Sequence, residues 1–143
     1  MFDRGPNLEA TLMTIRRLKT YTGSQGYVYQ YYFVGKRLAP VSDADKSDAY
    51  SSDANRSDAH EYIFDVTSDR KLTYAVSIFF PHRVAVAWAE SHGRPLADSE
   101  QYAAVKMRLF RAFDELEDMQ AQGRVLQIDA HSLEESLASL GVE

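Results

Sequence analysis

The order of side-chain periodicities along this chain predicts an α+β fold, with a single antiparallel sheet of four to five strands and two or three helices packed mainly on one face. Three observations carry that expectation. Alternating runs rich in aromatic and β-branched residues fill much of the first 80 positions, and 3.6-residue periodicity fills most of the rest. The 143 residues fit one domain. The 45% hydrophobic content is ordinary for a globular chain and sets aside wholesale disorder.

Residues 10–21 read as the first strand, because Thr11, Thr14, Ile15, Thr20 and Tyr21 favour extended backbone. Leu8, Leu12, Ile15 and Leu18 keep helical spacing, so a helix over 8–18 is the alternative. The cluster Thr22-Gly23-Ser24-Gln25-Gly26 is a hairpin connection to a second strand over 27–38. In that strand Tyr27, Tyr29, Tyr31 and Phe33 share one face, and Val28, Gln30, Tyr32 and Val34 share the other. The frame Ser-Asp-Ala then recurs four times at period five across 41–61. No position in it is strongly apolar, so stacked copies would bury almost nothing; the segment reads as an exposed polar insertion within a single domain spanning 1–143.

Residues 61–68 and 71–80 read as antiparallel strands joined by a tight turn. The second places Leu72, Tyr74, Val76, Ile78 and Phe80 on its core face. Pro81 fits the first position of a short helix over 81–92, on which Val84, Ala87, Trp88 and Ser91 form one stripe and after which Gly93 gives a left-handed exit. Asp98 or Ser99 is the expected cap of the longest helix, 98–121, whose inner stripe is Tyr102, Val105, Leu109, Phe110, Phe113, Leu116 and Met119. As a core residue, Phe110 changed to Ala is expected to cost about 3–5 kcal/mol. An edge strand over 124–129 and a last helix follow, with Ser132 and Glu135 as a capping box and Leu133, Leu137 and Leu140 inward.

Several chemistries are excluded. Without cysteine there is no disulfide scaffold, thiolate zinc site, iron–sulfur cluster or cysteine nucleophile. No basic start runs into an apolar stretch, and Ser77, Pro81, His82 and Arg83 break the greasiest region, so the expected setting is the cytoplasm, away from any membrane. The cluster 22–26 lacks the first glycine of a nucleophile elbow and the lysine of a P-loop. The acidic frames at Asp43 and Asp53 carry Asp48 and Asp58 where a calcium loop needs glycine, and Ala54 and Phe64 where it needs glutamate. No metal or cofactor is expected.

Net charge is −5, divided as +4 over 1–40, −4 over 41–61, +1 over 62–96 and −6 over 97–143. A basic start and an acidic end attract one another, within one chain or between two. Asp114 and Glu115 lie near a helix C-terminus, where they oppose the helix dipole; Arg16, Arg17 and Lys19 are the expected compensation.

The leading functional expectation is a small binding or accessory protein acting through protein contacts, most simply as a homodimer. The tyrosine strand is apolar on both faces, and a two-fold mate is the commonest cover for the second. Its expected binding surface is Tyr27, Tyr29 and Tyr31 with Arg16, Arg17 and Lys19; a ladder of half-buried tyrosines accounts for the same pattern. One alternative is an enzyme or small-anion-binding domain in which His82, Arg83, His92 and Arg94 converge across a short helix. Another is single-stranded nucleic-acid binding, with the tyrosines stacking bases and the basic residues meeting phosphate; the acidic balance argues against it.

Overall fold

A computed structural model describes residues 18–40, 58–69 and 71–142. The strand reading of 10–17, Arg16 and Arg17, and most of the Ser-Asp-Ala segment lie outside the described residues. Five strands pair in sequence order, β1-β2-β3-β4-β5. β1 (Lys19–Thr22) and β2 (Val28–Pro40) form the expected hairpin. Its turn is closed by Gly23 N–H to Tyr27 C=O at 2.8 Å and Gly26 N–H to Gly23 C=O at 2.9 Å. Gly26 has φ 93°, a left-handed conformation that glycine adopts without steric cost. β2 pairs antiparallel with β3 (Asp58–Thr67), which pairs antiparallel with β4 (Tyr74–Pro81). Residues 58–61, expected within the exposed polar insertion, belong instead to β3, where Ala59 and Glu61 are buried.

One extra residue, Val34, sits between the pairs Phe33–Phe64 and Gly35–Ile63. Such a bulge restores the phase of side chains after the slip. Beyond it Lys36 again opposes Tyr62 on the helix side, and Arg37 opposes Glu61 on the other.

The sheet is mixed, not wholly antiparallel, because β5 (Val125–Gln127) runs parallel to β4. The intervening segment is a helical crossover, which carries the chain back to the end where β4 began and obliges the next strand to run the same way. It contains α1 (His82–His92), α2 (Asp98–Glu115) and α3 (Met119–Gln122). With α4 (Ala130–Ser139) the described residues hold four helices. The expected 98–121 helix is split: Leu116 is extended, and Asp118 restarts a single turn by accepting the Ala121 N–H at 3.1 Å.

The caps also differ from expectation. Pro81 ends β4 and precedes the first helical residue of α1. Ala97 is the N-cap of α2, and Glu100 reaches back to accept its N–H at 2.8 Å. Asp129 caps α4 by accepting the Ser132 N–H at 2.8 Å, while the Ser132 hydroxyl accepts the Asp129 N–H at 3.1 Å.

The core lies between one sheet face and the helices. Phe64, Val66, Val76 and Ile78 meet Val105, Leu109, Phe113, Leu133 and Leu137, all fully buried. Phe113 stacks on Tyr29 at 4.2 Å between ring centroids. Phe110 is only partly buried, packed against Tyr21 at 4.5 Å, so the cost expected for its loss falls below that of a core phenylalanine. The last inward residue expected of α4 diverges too: Leu140 is its C-cap and is exposed, while Leu137 is buried.

The hairpin turn docks on the end of α2. Tyr21 donates to both Asp114 carboxylate oxygens at 3.1 and 2.9 Å, and the Ser24 N–H donates to Oδ1 at 2.9 Å. The Ser24 hydroxyl and Gln25 amide donate to the Asp114 carbonyl at 3.1 and 3.0 Å. Asp114 is thus held by neutral donors of β1 and the turn; Arg16 and Arg17 of the expected basic group lie outside the described residues. The orphan carbonyl of the last helical turn is satisfied at the same time. Among the described residues no helix is long and apolar enough to cross a membrane.

Candidate binding face and histidine cavity

The tyrosine strand divides sharply between its two faces. Tyr29 and Tyr31 project beneath α2 and are buried, whereas Tyr27 is 51% exposed. Tyr29 and Tyr31, expected on a binding surface, are therefore covered by their own chain. Burial pushes the hydroxyl pKa of both above the usual value. Of the three basic partners expected there, Lys19 is exposed on β1, and Arg16 and Arg17 lie outside the described residues. A base-stacking platform of three tyrosines is not assembled.

The face that remains is the other one. The described helices all contribute to the single core on the Tyr62/Phe64 side, so none of them covers the opposite side. Strand alternation and register place Val28, Gln30, Tyr32, Ile63, Asp65, Ala75, Ser77, Phe79 and Val125 there. Val28 is 45% exposed, Val34 52% and Val125 65%. The polar groups between these apolar side chains are paired within the sheet. Tyr32 donates to Asp65 at 2.8 Å. Arg37 Nε donates to Glu61 Oε1 at 2.7 Å, and the Ser77 hydroxyl donates to Glu61 Oε2 at 2.7 Å. The Arg37 bond holds the Glu61 carboxyl below its usual pKa despite burial, and the bond to Asp65 raises that of Tyr32. On the sheet edge, β1 pairs only with residues 28–31 of β2, so 32–40 have no strand partner on that side among the described residues.

The expected His/Arg cluster is dispersed. His82 opens α1 and His92 closes it, about 15 Å apart at 1.5 Å per residue. His92 stacks on Trp88 at 4.1 Å and pairs with Glu134 at 3.0 Å. Arg94 also lies over the Trp88 ring, 5.2 Å from its centroid, and forms a two-pronged pair with Glu100 at 2.9 Å for each bond. That pair and the Ala97 N–H pull the Glu100 carboxyl down to about 2. Arg83 is exposed on the first turn of α1. His92 and Arg94 thus clamp Trp88 and tie α1 to α4 and α2, and they do not form an anion site with His82.

His82 has a different neighbour. Where the sheet runs past the start of α2, His60 and His82 line one cavity of about 250 Å3 with Gln101. The remaining walls are Phe80, Ala85, Val86, Ala89, Pro95 and Leu96. Tyr62 donates to Gln101 Oε1 at 3.3 Å, and burial pushes its own pKa up to about 12. His60 is held below its usual pKa, first by desolvation and then by Lys36; a hydrogen bond with Gln101 opposes this, His82 adds to it, and Asp58 opposes it more weakly. The buried Nε2 of His82 has no hydrogen-bond partner. Sequence reasoning selected His82 but missed His60 and Gln101. The signal it passed over was that His60 shares the strand face of Tyr62 and Phe64, two and four residues on.

The described residues form one five-stranded sheet whose described helices pack on a single side. Comparison with protein-family models, curated proteins and solved structures finds no match.

Proposed function

We propose that this protein acts as a binding module whose sheet face left open by the described helices packs against the same face of a second copy. The observation that carries this reading is the exposed apolar pair Val28 and Val125, with the exposed bulge residue Val34 next to Gly35, around half-buried Ile63 and Phe79 on a face that none of the described helices covers. Aromatic and aliphatic groups set among satisfied polar pairs have the character of an interface. Arg37, Glu61, Ser77, Tyr32 and Asp65 already have partners within the chain, so a second sheet laid over them strands no charge. The area is sufficient. Five strands of 3 to 13 residues, at about 4.8 Å spacing and a mean length of about 26 Å, cover roughly 600 Å2. Two such faces bury about 1,200 Å2, the lower end for a specific interface. Twisted sheets pack face to face at about −30°, and a two-fold operator makes that contact self-complementary.

Light scattering after size exclusion tests this at roughly 100 μM, above the micromolar weak end for interfaces of such size. The expected mass is twice the 16.2 kDa of one chain. Val34→Asp with Val125→Asp is expected to give a monomer, while Leu140→Asp, on the exposed end of α4, stays dimeric. A monomeric parent protein, or a double variant that remains dimeric, refutes the proposal.

A further inference from the structure

We propose that the cavity between His60, His82 and Gln101 binds a small carboxylate with an apolar body. The cavity lies on the helix side of the sheet, so the inference is independent of association through the opposite face.

Three features carry it. The first is the unpaired imidazole nitrogen. A buried polar atom left without a partner is costly and rare, and His82 Nε2 is such an atom, on a side chain that lines the cavity. A ligand oxygen at that point supplies the missing partner to an N–H tautomer. The second is the lining. Six of the nine wall residues are aliphatic or aromatic: Phe80, Ala85, Val86, Ala89, Pro95 and Leu96. A few convergent polar groups in a largely apolar cavity are the usual composition of a small-molecule site, and a chain of waters would find few partners along those walls. The third is the sign of the local charge. The Lys36 ammonium lies 5.5 Å from the centroid of the neighbouring Tyr62 ring, and its charge acts on His60 more strongly than that of Asp58. An anionic head group meets that field favourably.

Size restricts the class further. At about 30 Å3 per non-hydrogen atom, the share of one water in the liquid, 250 Å3 admits on the order of eight to ten atoms. That is the size of a benzoate or a short-chain fatty acid. Two imidazoles alone do not make a metal site: no group of three or more His, Asp or Glu among the described residues is placed to hold a metal.

The test titrates the full-length protein with benzoate and follows the His60 and His82 ring resonances by NMR. Saturable shifts at both rings, with a Kd of about 1 mM or tighter, are expected. Benzyl alcohol, a neutral molecule of similar shape, and inorganic phosphate, an anion without the apolar body, are each expected to bind at least about tenfold more weakly. His82→Gln should weaken benzoate by a similar factor. Leu96→Trp and the milder Ala89→Leu, which fill the space from two sides, should remove the shifts while the amide spectrum stays dispersed. Absence of saturation in the parent protein overturns the proposal. So does equal binding of benzyl alcohol, or undiminished benzoate binding in a folded Ala89→Leu variant.

Discussion

Phe113 and Phe110 lie three residues apart on one helix, yet they face different environments, and their alanine variants measure that difference. Phe113 is fully buried, stacked on Tyr29 at 4.2 Å and near Tyr21 and Tyr31 at 5.6 and 6.1 Å. Its loss leaves a cavity closed by the sheet on one side and the helix backbone on the other, at a cost of about 3–5 kcal/mol. Phe110 is half-buried beside Tyr21 and Tyr31, at 4.5 and 5.6 Å. It loses less apolar contact, and water reaches the vacated space, so its cost is about 1.5–2.5 kcal/mol. Urea unfolding followed by far-UV circular dichroism separates the two. With a slope near 2 kcal/mol per molar, the midpoint falls by about 2 M for Phe113→Ala and about 1 M for Phe110→Ala, with slopes unchanged. A double-mutant cycle of Phe113→Ala with Tyr29→Ala should return a coupling of about 0.5–1.5 kcal/mol. Equal midpoints for the two single variants, or a Phe113→Ala cost under about 1.5 kcal/mol, would refute the placement of the core.

Further substitutions probe the hairpin dock, the acid response and a cap. At Gly23 an added Cβ would lie 2.9 Å from the Phe113 carbonyl oxygen, a backbone atom that cannot turn aside; Gly23→Ala should cost about 1–3 kcal/mol, read from the same urea curves. Glu100 titrates from 4.5 in the unfolded chain to about 2 in the folded one. A depressed carboxyl pKa stabilises above the unfolded value and loses that contribution as pH falls through the folded one. Glu100→Gln should therefore differ most from the parent above about pH 4.5 and converge with it near pH 2. A constant offset across that range would show that the Arg94 pair carries no linkage. Asp129→Ala removes the α4 cap and should lower stability by about 1 kcal/mol, with the amides of Ser132 and its neighbours exchanging faster.

Much of the architecture was legible in local patterning. The alternation in 27–33 and 74–80 and the 3.6-residue stripe through Val105, Leu109 and Phe113 each depend on residues a few positions apart, and each matches the observed element. Hairpin residues Gly23 and Gly26 likewise declare a turn by backbone freedom alone. The candidate sites were far less legible. His82 was marked, but its cavity partners His60 and Gln101 come from a different strand and a different helix. Arg94, read as an anion clamp, spends its guanidinium on Glu100, a residue whose helical position was clear but whose reach back over the N-cap was not.

By itself the sequence determined the order of strands and helices among the described residues and most of the inward stripe of each, because those follow from side-chain size, polarity and period within a few residues. Only the tertiary structure decided the parallel placement of β5, the capture of Asp114 by a turn 90 residues away and the meeting of His60 with His82. The physical reason is that a polar or charged side chain specifies the kind of partner it needs but not which remote one it finds. That choice is made by the crossover geometry and by the packing that brings distant backbone within hydrogen-bond reach.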